Sequence, residues 1–500
     1  MRSAGILFPI FSLASNYGIG CLSKEAYQFI DFLKDSGQTY WQILPIGPTG
    51  FGDSPYQPVS AFAGNPYFID LEDLVHRGLL RWDELNGLNF GSKVDEVDYG
   101  ALYNNRKVAL EKAFARFVPD QDYDKFVEEE YYWLHDYALF MTLKKIYEGK
   151  SWIDWDKKYA HANKAELERV ENENKNTVNF YYFQQYMFEC QWKRLRKYAN
   201  EKGIKIIGDI PFYCSLDSCD AWSHPEAFLV DSDGIPTFVA GTLPDAFSKT
   251  GQLWGNPIYD WDNIKKFHYS WWMVRMVRNI SLFDVIRIDH FHGFAEYCAI
   301  PYADKTAENG VLKKGPGMDF FKELYAQFPD IELIAEDLGT LTPEKEQLLE
   351  DANIPGMKIL QFAFTGWNHD SYYLNHNHKK QCVVYTGTHD NPTTKDWFET
   401  LNDSHKDFAV TYTNSDKYNT GKFVWDFIRE AYRSVADTCI IPLQDYLVKG
   451  KEARFNEPGS TGSNWKWRLS PNYLSQDLAR AIYQLADTYA RLPKAEENKK

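Results

Sequence analysis

The sequence lacks long apolar runs, paired-cysteine motifs and any excess of basic charge. No stretch of the 500 residues is long and apolar enough to span a bilayer. The opening Met1-Arg2-Ser3-Ala4-Gly5-Ile6 has no signal-peptide apolar run, so a cytoplasmic protein without a membrane partner is expected. Seven cysteines (Cys21, Cys190, Cys214, Cys219, Cys298, Cys382 and Cys439) are odd in number and scattered, with no CxxC pair and no zinc-like cluster with His. Reduced, mostly buried thiols are the simplest account. There are 55 Lys and Arg against 70 Asp and Glu, a net charge of −15, which disfavours nucleic acid as a partner. A neutral substrate meets no such penalty. Repeats, low-complexity linkers and calcium loops of EF-hand spacing are also missing. No interface pattern is evident, and a monomer is the expectation.

What the chain has in quantity is aromatic side chains, 16% of the total, from 33 Tyr, 33 Phe and 16 Trp. Most of these serve as core. An excess of Tyr and Trp also suits sugars, because a flat ring stacks on the apolar face of a pyranose while polar groups bind its hydroxyls.

Short β-like runs alternate with helix-like stretches. Candidate strands are Ala4–Ile10, Tyr40–Leu44, Lys205–Asp209, Phe283–Asp289, Glu332–Glu336, Met357–Phe364, Val383–Thr388 and Cys439–Leu443. Eight is the count of a (β/α)8 TIM barrel, and the fold class expected is α/β of that kind. Between the first two runs Ser23 can cap a helix whose apolar Ala26, Phe29, Ile30 and Leu33 keep helical spacing, with Gly37 as its stop. Two gaps exceed a simple crossover. The expected organisation is therefore one catalytic barrel domain over residues 1–500, with insertion subdomains at about 47–203, mainly helical, and 211–281, a binding-loop region rich in Gly, Pro, Trp and Asp. Too little chain follows the eighth run for a C-terminal antiparallel β domain.

Barrel active sites lie at the C-terminal ends of the strands. Four of these runs end in acid: Asp209, Asp289, Glu336-Asp337 and His389-Asp390. Any one of them alone reads best as a turn or helix cap. Four converging on one barrel mouth are harder to explain that way. Residues two apart on a strand share a face, so Arg287 stands beside Asp289 and is expected to lower its pKa. A buried structural ion pair is the alternative. Two carboxylates in unlike environments can split a glycosidic bond, one as nucleophile and one as acid.

These segments carry a family resemblance. Arg287-Ile288-Asp289-His290-Phe291, Ala335-Glu336-Asp337-Leu338-Gly339 and Gly387-Thr388-His389-Asp390-Asn391 resemble the active-site segments of amylomaltases, the 4-α-glucanotransferases of glycoside hydrolase family 77 in the α-amylase clan. The likeness extends to Trp41-Gln42-Ile43-Leu44-Pro45, Gly52-Asp53-Ser54-Pro55-Tyr56-Gln57, Gly208-Asp209-Ile210-Pro211, Thr250-Gly251-Gln252-Leu253-Trp254-Gly255-Asn256-Pro257 and Asn464-Trp465-Lys466-Trp467-Arg468, and so covers nearly the whole chain. The resemblance implies Asp289 as nucleophile, Glu336 as acid and then base, and Asp390 as stabiliser of a distorted transition state. It implies glucan contacts for Ser54, Tyr56, Asp209, Arg287, Asp337, His389 and Asn464. Asp245, Phe247, Gln252, Trp254 and Asn256 fall in a loop over the glucan. It implies no cofactor and no metal. Two departures stand out: Cys21 and His292 occupy positions where the family commonly has an acid and an Arg.

The implied activity is transfer of a 1,4-α-glucan segment from a donor to the 4-hydroxyl of an acceptor, with maltooligosaccharides and α-1,4-glucans as partners. Water competes at about 55 M, so transfer needs a bias of roughly 10⁵–10⁶-fold, which an oriented acceptor and a closed loop over Asp245–Asn256 can supply. A hydrolase of the same clan and a non-catalytic glucan binder are the other two readings.

Overall fold

The computed structural model describes residues 2–50, 52–244, 249–339, 341–460 and 462–493. All eight expected runs form strands, numbered here β1 (Ser3–Leu7), β2 (Tyr40–Gln42), β3 (Lys205–Ile210), β4 (Val285–Ile288), β5 (Leu333–Ala335), β6 (Gly356–Ile359), β7 (Cys382–Tyr385) and β8 (Thr438–Pro442). They pair in parallel in the order β6-β7-β8-β1-β2-β3-β4-β5. This is chain order read around a ring, as a (β/α)8 barrel requires. The seam falls between β5 and β6. There Ala335 N donates to Pro355 O at 2.9 Å, and Met357 N donates to the Asp337 carboxylate at 2.6 Å. Asp337 takes the place of a ladder carbonyl, and only glycine fits opposite it, because a Cβ on Gly356 would lie 2.3 Å from Asp337 Oδ2.

All the strands but β3, which runs one residue further, are shorter than expected at their C-terminal ends. Leu360–Ala363 leaves β6 as a 3-10 turn instead of prolonging it, and Pro9 ends the run after β1. The first crossover helix, Lys24–Asp35, buries Ala26, Phe29, Ile30 and Leu33 as its spacing requires. Ser23 occupies the cap position, but its hydroxyl bonds Ser15 and Glu25 rather than a backbone N–H. Gly37 follows with φ 68°, and Gln38 N closes the helix on Leu33 O.

Between β2 and β3 lie the long helices Tyr99–Phe114, Gln121–Ile146 and Lys175–Glu201. The last buries Phe180, Tyr181, Tyr182 and Phe183 in succession, so its middle is enclosed on every side, while Lys193 and Arg194 near its end are exposed. The segment after β3 departs from a pure loop. Phe238–Thr242 and Gln252–Pro257 are strands that join Glu296–Pro301 and Val311–Lys314 in a four-stranded antiparallel sheet. After β8 the described residues form helices and turns and no strand, with one isolated bridge from Trp467 to Glu96. Among the described residues no helix is long and apolar enough to cross a membrane.

Candidate active site

Strand register brings the expected acids together. Asp209 of β3 and Arg287 of β4 are direct ladder partners. Asp289 and Glu336 each lie one residue beyond the Ile288–Ala335 pair of β4 and β5. Arg287 is the hub. Its Nη1 donates to both Asp209 oxygens, at 2.6 and 2.7 Å, and to Asp289 Oδ1 at 3.1 Å. Arg287 and Asp209 are both buried. Burial raises the Asp289 carboxyl above its ordinary value, with Arg287 and then His389 opposing that rise. Arg287 does lower the Asp289 carboxyl as expected, but burial outweighs it and the net shift is upward.

Glu336 sits differently. Its Oε2 accepts from His290 N at 2.8 Å and its Oε1 from Leu338 N at 3.1 Å. Burial first, and the charge of Asp289 second, push it up to about 7. His290 holds a left-handed backbone, φ 50°, which turns its N–H onto the acid. Its ring lies edge-on to Trp254 at 4.9 Å, and burial lowers its pKa to about 4, leaving it neutral.

Asp390 stands at the mouth with its side chain 48% exposed. Enclosure alone would raise it, but His389 at 3.4 Å and the Asn456 amide at 2.6 Å hold it down at about 2. Burial alone would lower His389; Asp390 outweighs it and raises that imidazole. Tyr56 stacks on His389 with centroids 4.9 Å apart and planes 17° apart, and its hydroxyl donates to Asp209 Oδ2 at 2.7 Å. Ser54 Oγ accepts from Tyr56 N at 3.2 Å and fixes that turn. Replacing Tyr56 with Phe keeps the stack and removes one bond to a buried carboxylate, worth roughly 1.5–3 kcal/mol. We expect kcat/KM on maltotriose to fall about 10–100-fold with the ring stack intact, measured by glucose release.

Other expected site residues brace the walls. Asn256 is buried, donating to Cys214 O at 2.8 Å and accepting from Gln57 at 3.2 Å. Asn464 closes the 457–464 loop by accepting from Glu457 N at 3.0 Å. Asp337 is held by Met357 N and by Lys358 at 3.4 Å. Gln252 is exposed and accepts from the Trp254 indole at 3.1 Å. Asp245 and Phe247 lie outside the described residues. Of the two departures, the Cys21 thiol lies 3.6 Å from the buried Arg106 guanidinium, which also bonds the carbonyls of Tyr17 and Ile69. His292 is buried beside Lys345, and burial lowers its pKa to about 3. A cavity of about 280 Å³ at the opposite, N-terminal end of the barrel is lined by Tyr40, Val285, Leu333 and Thr438 and holds none of these strand-end acids.

Sequence reasoning missed Asn456, Arg454 and Trp465 as site residues. Arg454 donates to Asp390 O at 3.0 Å, and Trp465 lies 5.9 Å from Tyr56 and 6.0 Å from His389. The Asn-Trp-Lys-Trp-Arg segment was a visible signal for Trp465 alone.

A parallel barrel with unlike carboxylates gathered over its C-terminal end belongs to the class of glycoside-cleaving barrel enzymes. The chain belongs to the 4-alpha-glucanotransferase family, whose model matches residues 8–475, and it is a 4-α-glucanotransferase. A 4-alpha-glucanotransferase of Clostridium butyricum is 47% identical over 96% of this chain and 99% of its own. That of Aquifex aeolicus is 44% identical over 98% of this chain and 100% of its own. The amylomaltase of Streptococcus agalactiae, solved with acarbose, superposes with a TM-score of 0.96 at 36% identity, covering 99% of this chain and 100% of its own.

Proposed function

We propose that transfer runs with retention through a covalent intermediate on Asp289. The carrying observation is the unlike setting of two acids at one level on neighbouring strands: Asp289 on Arg287, and Glu336 held by two backbone N–H groups with its pKa near 7. Adjacent strands lie about 4.8 Å apart, which suits the roughly 5–5.5 Å of a retaining pair. In the first step an Asp289 oxygen bonds the anomeric carbon, the glycosidic bond breaks, and Glu336 gives its proton to the departing 4-oxygen. In the second step Glu336 takes the proton of an acceptor 4-hydroxyl, whose oxygen bonds the anomeric carbon as the Asp289 ester breaks. Asp390 and His389 bind ring hydroxyls, Tyr56 stacks under the reacting sugar, and Asp209 fixes Arg287. Trp254 and Gln252, braced by buried Asn256, favour a sugar acceptor over water; Asp245 and Phe247, expected to act with them, lie outside the described residues. Residues 47–203 and 211–281 act as insertions of one catalytic domain. The donors and acceptors are maltooligosaccharides and α-1,4-glucans.

Incubation with maltotriose alone tests transfer. A ladder of longer maltooligosaccharides plus glucose, with no net rise in reducing ends, is expected. Maltose and glucose with a net gain of reducing ends would make hydrolysis the dominant outcome.

A further inference from the structure

Asp390 stands on the loop between β7 and the helix Thr394–Thr400. The turn that carries it is closed from within. Thr388 N and Oγ1 donate to Asn391 Oδ1, both at 2.9 Å, and Asp390 N donates to Thr388 Oγ1 at 3.3 Å. A turn closed on itself has a fixed shape, and its place over the barrel is set at its two ends. Both ends meet Asp445, in the short helix Leu443–Tyr446 that follows β8. Asp445 Oδ2 accepts from Thr386 Oγ1 at 2.7 Å and from Thr394 Oγ1 at 2.6 Å, and its Oδ1 accepts from Thr394 N at 2.7 Å. All three residues are buried. Burial raises the Asp445 carboxyl, and these same donors oppose the rise, with no cation paired to it among the described residues.

We propose that Asp445 is a positioning residue for Asp390: one buried oxygen ties the two ends of the 386–394 loop together and so sets where the Asp390 carboxylate stands over the reacting sugar. The role rests on the reading that Asp390 binds ring hydroxyls. A plain turn brace needs one end of a loop, whereas this carboxylate holds both. The same stretch after β8 also grips the tip, where Arg454 donates to Asp390 O at 3.0 Å and Asn456 N donates to His389 O at 3.2 Å. Gln361 adds longer ties, from its N to Thr386 O at 3.2 Å and from its Nε2 to Pro392 O at 3.0 Å, so losing one bond to Asp445 loosens the loop without releasing it. Displacing a binding group by about 1 Å costs up to about 10²-fold in rate.

The test uses variants that keep the shape and remove one tie at a time. Thr386→Val and Thr394→Val should each lower kcat on maltotriose about tenfold with KM within about threefold of the parent. Asp445→Asn, which must set an amide N–H against one of these donors, should lower kcat at least as far. Thr386→Ser and Thr394→Ser keep the hydroxyl and should stay within about twofold of the parent. In an Asp390→Asn background Thr394→Val should cost less than about twofold, because the charge it positions is already gone. The full tenfold loss in that background, or Val variants that keep the parent kcat and lose only melting temperature, would overturn the positioning role and leave the catalytic reading in place. Parent-like turnover by Asp390→Asn alone would instead remove Asp390 from the reacting centre, and the role of Asp445 with it.

Discussion

Replacing Asp289 with Asn should reduce transfer by at least about 10⁴-fold while the barrel remains folded. The amide has nearly the same shape and can still meet Arg287, but it cannot form the ester that carries the glucan between donor and acceptor. Asp209 keeps both short bonds to Arg287, so the buried cation is not orphaned and little stability is lost. A second readout separates this role from a structural one. The charge of Asp289 is one cause of the raised pKa of Glu336, so removing it should move Glu336 down towards its usual range. Residual turnover and a titration of Glu336 together decide the matter. Transfer within tenfold of the parent would exclude Asp289 as nucleophile.

The barrel was legible because eight short apolar runs recur along the chain and four of them close on an acid, as in Val-Ile-Arg-Ile-Asp ending at Asp289. The register of β3 against β4 could not be read, and that register is what sets Asp209 opposite Arg287. Pairing across 78 residues is fixed by the packing of the whole ring, not by local preference. The antiparallel sheet escaped for a related reason. Gly241 interrupts Phe238–Thr242, and Gly255 and Pro257 interrupt Gln252–Pro257, so neither segment looks like a strand until Glu296–Pro301 pairs beside it. Asn456 is a loop amide with no pattern around it, yet from 66 positions away it helps His389 hold the Asp390 carboxyl down. Residue type thus announced the carboxylates, whereas the groups that tune them were set by tertiary contacts.

Glu336→Gln should separate the two halves of the reaction and remove a pH dependence of the parent's stability. In the parent, Glu336 titrates near 7 against the usual 4.5, a difference equivalent to about 3 kcal/mol. A carboxyl whose folded pKa is raised contributes its full stability below 4.5 and loses that contribution as pH rises through about 7. The neutral amide has no such loss. The unfolding free energy of Glu336→Gln, relative to the parent, should therefore improve by about 3 kcal/mol between pH 4.5 and pH 8, measured by chemical denaturation. Turnover on maltotriose should fall about 10²–10⁴-fold, because the leaving glucan no longer receives a proton. An α-maltosyl fluoride donor changes the outcome, since fluoride departs without an acid. Asp289 should then be glycosylated while the acceptor step, lacking its base, is slow, and mass spectrometry should find the sugar ester on the Asp289 peptide. In the parent the same group must be protonated to start and ionised to finish. The high-pH limb of kcat/KM should therefore fall with an apparent pKa near 7 and vanish in Glu336→Gln. A variant that kept that limb would assign it to another residue, and a fluoride donor that left Asp289 unmodified would remove the covalent intermediate from the mechanism.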